Sequence, residues 1–129
     1  MPNNDNLELI LFGWLDAIRR NDLDALARQL HPQVVWQGVR PDLVCRDRDD
    51  VMDMAREGFD VPTVEALELT VVGIDRIFLG IRSSDLREID GEPLGGEIYQ
   101  VFTIREGTIV RIDEFTARDS ALRAAERAA

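Results

Sequence analysis

The stretch Gly96-Glu-Ile-Tyr-Gln-Val-Phe-Thr-Ile-Arg-Glu-Gly-Thr-Ile-Val-Arg-Ile-Asp-Glu-Phe-Thr116 decides the fold. Two runs rich in β-branched and aromatic residues, Ile98 to Ile104 and Thr108 to Phe115, flank Arg105-Glu106-Gly107. A glycine at that place supplies the positive φ of a tight hairpin turn, so the pattern predicts two antiparallel strands. Whatever lies upstream must pack against this hairpin.

Side chains alternate across a strand, which divides each run into two faces. In the last run Val110, Ile112, Glu114 and Thr116 share one face, and Ile109, Arg111, Asp113 and Phe115 share the other. The second set carries two charges mid-strand and is assigned to the outside. Glu114 is then the one carboxylate on a largely apolar inner face. Desolvation there would raise its pKa and suit it to general acid or base work; lying at the rim or pairing with an arginine is the competing expectation. In the preceding run Ile98, Gln100, Phe102 and Ile104 face inward. Gln100 could present its amide to a carbonyl in an oxyanion-type role, or simply bond across the sheet. A slip of one residue would put Tyr99 inside in its place.

Working back towards the N-terminus, Leu7, Ile10, Leu11, Trp14, Leu15 and Ile18 form one apolar stripe at helical spacing. Asp5 and Glu8 suit the start of this helix, Arg19 and Arg20 its end. A second helix begins at Asn21-Asp22, with Leu23, Leu26, Ala27 and Leu30 inward, and stops at Pro32. Val34 to Gly38 reads as a strand and Val39 to Leu43 as a loop. Asp47 to Phe59 reads as a third helix with Val51, Met54, Ala55 and Phe59 buried. The period then changes to two. Thr63 to Ile74, with a potential break at Gly73, and Arg76 to Ser83 are expected strands, with Arg82 either outside or paired with a carboxylate. Ser84 to Gly96 is a long hairpin loop, and Asp119 to Ala128 is a terminal helix expected to fray. Helices first and strands after is an α+β order, in which a curved antiparallel sheet around the helices leaves a pocket at its open end.

Composition narrows the chemistry. At 129 residues and 45% hydrophobic content the chain is expected to form a single domain over residues 1–129. Its net charge of −10 argues against nucleic acid and anionic membranes as partners. No apolar run approaches the ~20 residues of a membrane span, and Met1 to Asn6 lacks the features of a signal peptide, so a cytoplasmic location is expected. One cysteine, Cys45, and one histidine, His31, leave no internal disulfide and no site needing two imidazoles. No metal and no cofactor is expected.

The remaining candidates carry bland readings beside sharp ones. His31 before Pro32 could serve catalysis or cap the carbonyls ending helix two. Trp14 and Trp36 could line a ligand wall or fill the core. Asp47, Asp49, Asp50 and Asp53 suit a solvated helix start, since a calcium loop counted from Asp47 would need Gly at Met52 and Glu at Gly58. Cys45 reads as a buried, inert thiol.

These features together resemble the SnoaL-like branch of the nuclear transport factor 2-like superfamily, which includes ketosteroid isomerase-like proteins. The resemblance rests on the stripe of helix one, the helix ending Leu30-His-Pro, the strand Val34-Val-Trp-Gln-Gly, the helix after Cys45-Arg-Asp-Arg, and Val101-Phe-Thr-Ile-Arg-Glu-Gly-Thr-Ile-Val-Arg-Ile; it spans about residues 6 to 124. It implies a cystatin-like α+β cone of three N-terminal helices in a strongly curved sheet around a central pocket. It also implies a homodimer through the outer sheet face, and a small apolar, polyketide-like or steroid-like ligand. The base of ketosteroid isomerase would fall at Gln37 or Gly38, and its oxyanion donor near Gln100 or Tyr99. The aspartate of polyketide cyclases would fall near Thr116 or Ala117, with Asp119 slightly late.

The functional expectation is a small-molecule-binding protein acting as a cofactor-independent isomerase, cyclase or hydrolase, or else a non-catalytic carrier, sensor or association module. Glu114 would be the base or acid, with Gln100 or Tyr99 as electrophilic partner and His31 in reserve. Trp14, Trp36, Phe102, Ile112 and Thr116 would shape the wall.

Overall fold

A computed structural model describes residues 5–58 and 63–127. The first helix, α1, is continuous from Asp5 to Arg20, but its middle is wound differently. Asp5–Glu8 and Leu15–Arg20 are α-helical and Leu9–Trp14 is π-helical. Ile10, Trp14 and Ala17 point into the core. Asn21 ends the helix in the left-handed region, φ 52°, a conformation asparagine tolerates well. Asp22 then caps α2, Leu23–Gln29, by accepting from the Ala25 N–H at 3.1 Å.

His31 and Pro32 do not end a helix. Helix α2 stops at Gln29, and Leu30–Gln37 already forms strand β1, longer at its start than the expected Val34 to Gly38. Val44–Cys45 forms a further short strand, β2, which the sequence does not announce because two residues carry no detectable alternation. Helix α3 spans Arg48–Glu57, and Asp47 caps it by accepting from Asp50 N–H at 2.9 Å. Asp50 in turn accepts from Arg46 N–H at 3.0 Å, so this acidic cluster serves the helix start. Phe59, assigned to the buried face of that helix, lies outside the described residues.

Strands β3 (Ala66–Val72), β4 (Arg76–Arg82), β7 (Glu97–Arg105) and β8 (Thr108–Phe115) complete the main sheet, whose order is β2-β1-β8-β7-β4-β3. All neighbours are antiparallel except β1 and β8, which run parallel. A small hairpin, β5 (Glu88–Ile89) with β6 (Glu92–Pro93), is embedded in the expected loop. Between β7 and β8 the turn is two residues long. Glu106 and Gly107 have φ of 53° and 76°, the pair of positive values that matches the strands' twist.

The closing hairpin contains one irregularity with large consequences. Thr103 faces Arg111, but Ile104 faces Ile109, so Val110 is an extra residue without a partner. This bulge resets the alternation. Ile109, assigned by strict alternation to the outer face, is fully buried beside Ile104 and Ile112, and Val110 is only partly buried.

The main core lies between the helices and the concave face. Trp14, Phe102, Ile112, Ile77 and Leu79 are almost wholly buried there; burial of such side chains stabilises by about 1.5–3 kcal/mol each. A second, smaller core sits on the opposite face. Helix α4, Arg118–Glu126, lays Ala121 and Ala125 on Phe78, Tyr99 and Val101. It is tied down as well: Arg118 grips Glu68 through two hydrogen bonds of 3.0 and 2.6 Å, and its guanidinium lies 5.6 Å from the Phe78 ring centre. Arg76 donates to the carbonyls of Ala124 and Ala125 at 3.3 Å and to that of Arg127. The expected fraying end is therefore a docked element through Glu126; Ala128 lies outside the described residues. No helix among the described residues is long and apolar enough to cross a membrane.

Candidate functional site

Glu114 sits on the concave face near the open end of the hairpin, directly opposite Gln100 across the β7–β8 ladder. Trp36 is opposite Ile112 in the parallel β1–β8 pairing, which places its indole diagonally beside Glu114. Both neighbours use that proximity. Trp36 Nε1–H donates to one carboxylate oxygen at 2.9 Å and the Gln100 amide donates to the other at 3.0 Å.

Neither donor is charged, and no ion pair among the described residues includes Glu114. The competing expectation of an arginine partner is not met. Desolvation dominates the balance and pushes the carboxyl above its ordinary value of 4.5. The two hydrogen bonds oppose that rise, and the negative charge of Asp90, in the β5–β6 hairpin, adds to it. The residue is nonetheless only partly buried. A carboxyl with a raised pKa, held by neutral donors, can exchange a proton without first breaking a salt bridge.

Gln100 has a second amide hydrogen with no partner among the described residues, so it can donate to a second oxygen while holding Glu114. Cys45, opposite Trp36 across the β1–β2 ladder, is partly buried. Burial, then the charges of Asp50, Asp47 and Glu114, push its thiol upward, the condition of an unreactive cysteine.

The other proposed residues fall elsewhere. Tyr99 is on the opposite face, stacked 5.8 Å from Phe78 beneath α4. The register is therefore the one that turns Gln100 inward. Tyr99's phenol is pushed up by burial and then by Glu97. His31 lies on β1, where its Nδ1 accepts the Gln33 N–H at 3.0 Å; this is a local turn, neither a helix cap nor a partner of Glu114. Thr116 is exposed past the end of β8.

Trp14, Trp36, Phe102 and Ile112 do come together. Trp14 is 5.9 Å from Trp36 and 6.2 Å from Phe102 between ring centres. They pack tightly, with exposures of 1%, 7%, 0% and 0% respectively. Trp36 has a polar role that sequence reasoning missed, because nothing local to residue 36 signals a carboxylate arriving from residue 114.

Two cavities lie away from Glu114. One, of about 430 Å³, is on the outer sheet face and is lined by residues of β4, β7, β8 and α4. The other, of about 310 Å³, lies at the start of α1 beside Ile74 and Ile104. Among the described residues no three side chains of His, Cys, Asp or Glu converge as a metal site would require.

Comparison with known proteins agrees with this architecture. The profile of the SnoaL-like domain matches residues 12–112. A protein of Sinorhizobium meliloti named as a proposed polyketide cyclase superposes with a TM-score of 0.60 at 23% identity, over 81% of this chain and 92% of that one. A proposed polyketide cyclase of Xanthomonas campestris superposes with a TM-score of 0.65 at 12% identity, over 97% and 99%. A proposed ketosteroid isomerase of Kribbella flavida gives 0.56 at 13% identity, over 81% and 72%. At such identities the likeness is one of fold, the nuclear transport factor 2-like α+β cone. No curated protein is similar to the chain at a significant level.

Proposed function

The chain belongs to the SnoaL-like domain family, and from that membership we propose that it binds a small apolar molecule at the open end of the concave face and uses Glu114 on it as a general base or acid. One observation carries the reading: Glu114 is held by two neutral donors, Trp36 and Gln100, in a setting that raises its pKa. A purely structural carboxylate at the same place gains most from an arginine, and none is paired with it.

The chemistry that suits this arrangement is proton transfer beside a carbonyl. The names polyketide cyclase and ketosteroid isomerase, borne by similar folds, both specify ketone-bearing substrates. In the proposed step Glu114 takes a proton from the carbon next to the ketone. The electron pair of that C–H bond moves into the carbonyl, and the second N–H of Gln100 donates to the oxygen on which negative charge develops. Return of the proton from Glu114 to another carbon completes an isomerisation; attack of the enolate carbon on a second carbonyl, whose oxygen then takes the proton back from Glu114, completes a cyclisation. Neither outcome needs a cofactor. Trp36 fixes the carboxylate's orientation, and the buried Trp14–Phe102–Ile112 cluster supports Trp36 from within the core.

The test is deuterium exchange at the carbon beside a ketone, followed by NMR in D2O with a β,γ-unsaturated ketosteroid and an aromatic β-ketoester as probes. Exchange faster than in buffer, abolished by Glu114→Gln, is the expected result. Equal rates with wild type, variant and buffer for both probes would reject the catalytic reading.

The tight packing of Trp14, Trp36, Phe102 and Ile112 favours a second reading, in which the concave face is solid core and the protein works by association. Saturable binding of either probe, quenching tryptophan fluorescence, would exclude it.

A further inference from the structure

The outer face of the sheet carries a second candidate site that the Glu114 chemistry does not use. Its cavity, about 430 Å³, lies between α4 and strands β4, β7 and β8. That is an ordinary size for a small-molecule pocket. Its charge is anomalous for this chain. In a protein of net charge −10, the lining holds four arginines, Arg76, Arg111, Arg123 and Arg127, against one carboxylate, Asp113.

The four arginines are not equivalent. Arg111 is spent on Asp113, with hydrogen bonds of 3.0 and 2.9 Å. Arg76 is spent on carbonyls of Ala124, Ala125 and Arg127; this fixes its position but leaves its positive charge uncompensated by any carboxylate among the described residues. Arg123 on α4 and Arg127 just past its end, both exposed, make no ion pair among the described residues. Asp119 and Glu126 lie at helical spacing from Arg123, yet neither pairs with it. Two unspent guanidinium forks beside a third fixed cation are a fit for an anion bound bidentately. Ser120 adds a hydroxyl to the rim, and Val101, Phe115 and Ala124 supply an apolar wall.

We propose that this outer-face cavity binds a small organic dianion, a dicarboxylate or phosphate monoester, with its charge on Arg123 and Arg127 and its carbon body against Phe115 and Val101. It is separated from Glu114 by the thickness of the sheet, since Val101 and Tyr99 face α4 while Gln100 faces the concave side. Occupancy would clamp α4 onto the sheet, so binding should raise thermal stability.

The experiment is calorimetric titration of the whole protein with phenyl phosphate and, separately, phthalate, at constant ionic strength set with sodium chloride. The two probes share an aromatic body and distinguish phosphate from dicarboxylate. At least one should bind saturably, and R123Q/R127Q should weaken it about tenfold or more, as loss of charge-assisted bonds requires. Glutamine keeps the Cβ–Cγ–Cδ stem and a high helix propensity while removing the charge, and circular dichroism checks that α4 persists. Arg28→Gln, on the exposed side of α2, should leave the affinity unchanged. The proposal is overturned if neither probe binds, if R123Q/R127Q binds as wild type does, or if Arg28→Gln weakens binding equally. It is also overturned if sedimentation shows a dimer that R123Q/R127Q dissociates, because a second copy would then cover this face.

Discussion

The indole of Trp36 donates to the carboxylate of Glu114 at 2.9 Å across 78 positions of sequence. With Gln100 at 3.0 Å on the other oxygen, it holds a half-buried acid in place without neutralising it.

Glu114→Gln should abolish any ketone-adjacent exchange while keeping the fold, because Gln100 can turn its amide to meet the new side chain. It should also change the pH dependence of stability. Glu114's pKa is raised on folding above 4.5, so the native state binds more protons than the unfolded chain in the window above that value. Wild-type stability therefore falls as pH rises through that window, and the variant lacks this loss. Melting curves at several pH values should show the variant gaining on wild type from acid towards neutral pH. A constant difference would contradict the raised pKa.

Trp36→Phe removes one of the two bonds that oppose Glu114's desolvation. The carboxyl should rise further, and the acidic limb of any pH–rate profile should move up with it. The lost hydrogen bond should cost about 1 kcal/mol of stability, with a further penalty for the smaller ring. An unmoved limb would mean that the indole does not tune the acid.

Tyr99→Phe should leave catalysis and ligand binding at the concave face unchanged, since the ring lies beneath α4. Tyr99→Ala should instead cost about 3–5 kcal/mol by emptying the second core, as for other large-to-small aromatic changes. Chemical denaturation of the two variants separates these outcomes; loss of activity in Tyr99→Phe would revive the alternative register.

Ile109→Ala and Val110→Ala test the bulge directly. Ile109 is fully buried and should cost about 2–5 kcal/mol, whereas the partly buried Val110 should cost clearly less. The reverse order is what uninterrupted alternation requires, and observing it would remove the bulge.

Gly80 is constrained by close approach. A Cβ there would lie 2.9 and 3.0 Å from two ring carbons of Tyr99, which α4 keeps from retreating. Gly80→Val should destabilise by about 1–3 kcal/mol through overpacking. Near-neutral denaturation would show that the ring and helix yield easily.

By itself the sequence determined the helical stripe of Leu7 to Ile18, the strands of the closing hairpin and a turn within Arg105-Glu106-Gly107, and it put Glu114 inward while leaving Gln100 and Tyr99 as alternatives that only the register of the folded sheet separates. Each of these is a short-range signal, a period or a turn residue, written within a few positions. It also carried the family likeness, since the order of those elements is itself a pattern. Only the tertiary structure decided the rest. The Val110 bulge moved Ile109 inside, because one unpaired residue inverts alternation without leaving a local mark. Helix α4 converted the outer face around Tyr99 and Phe78 into core, because burial depends on what packs above a strand. Pairing β1 with β8 brought Trp36 to Glu114, and docking α4 gathered Arg76, Arg111, Arg123 and Arg127 around one cavity. Such meetings are made by the path of the chain through space, and residue spacing along it holds no record of them.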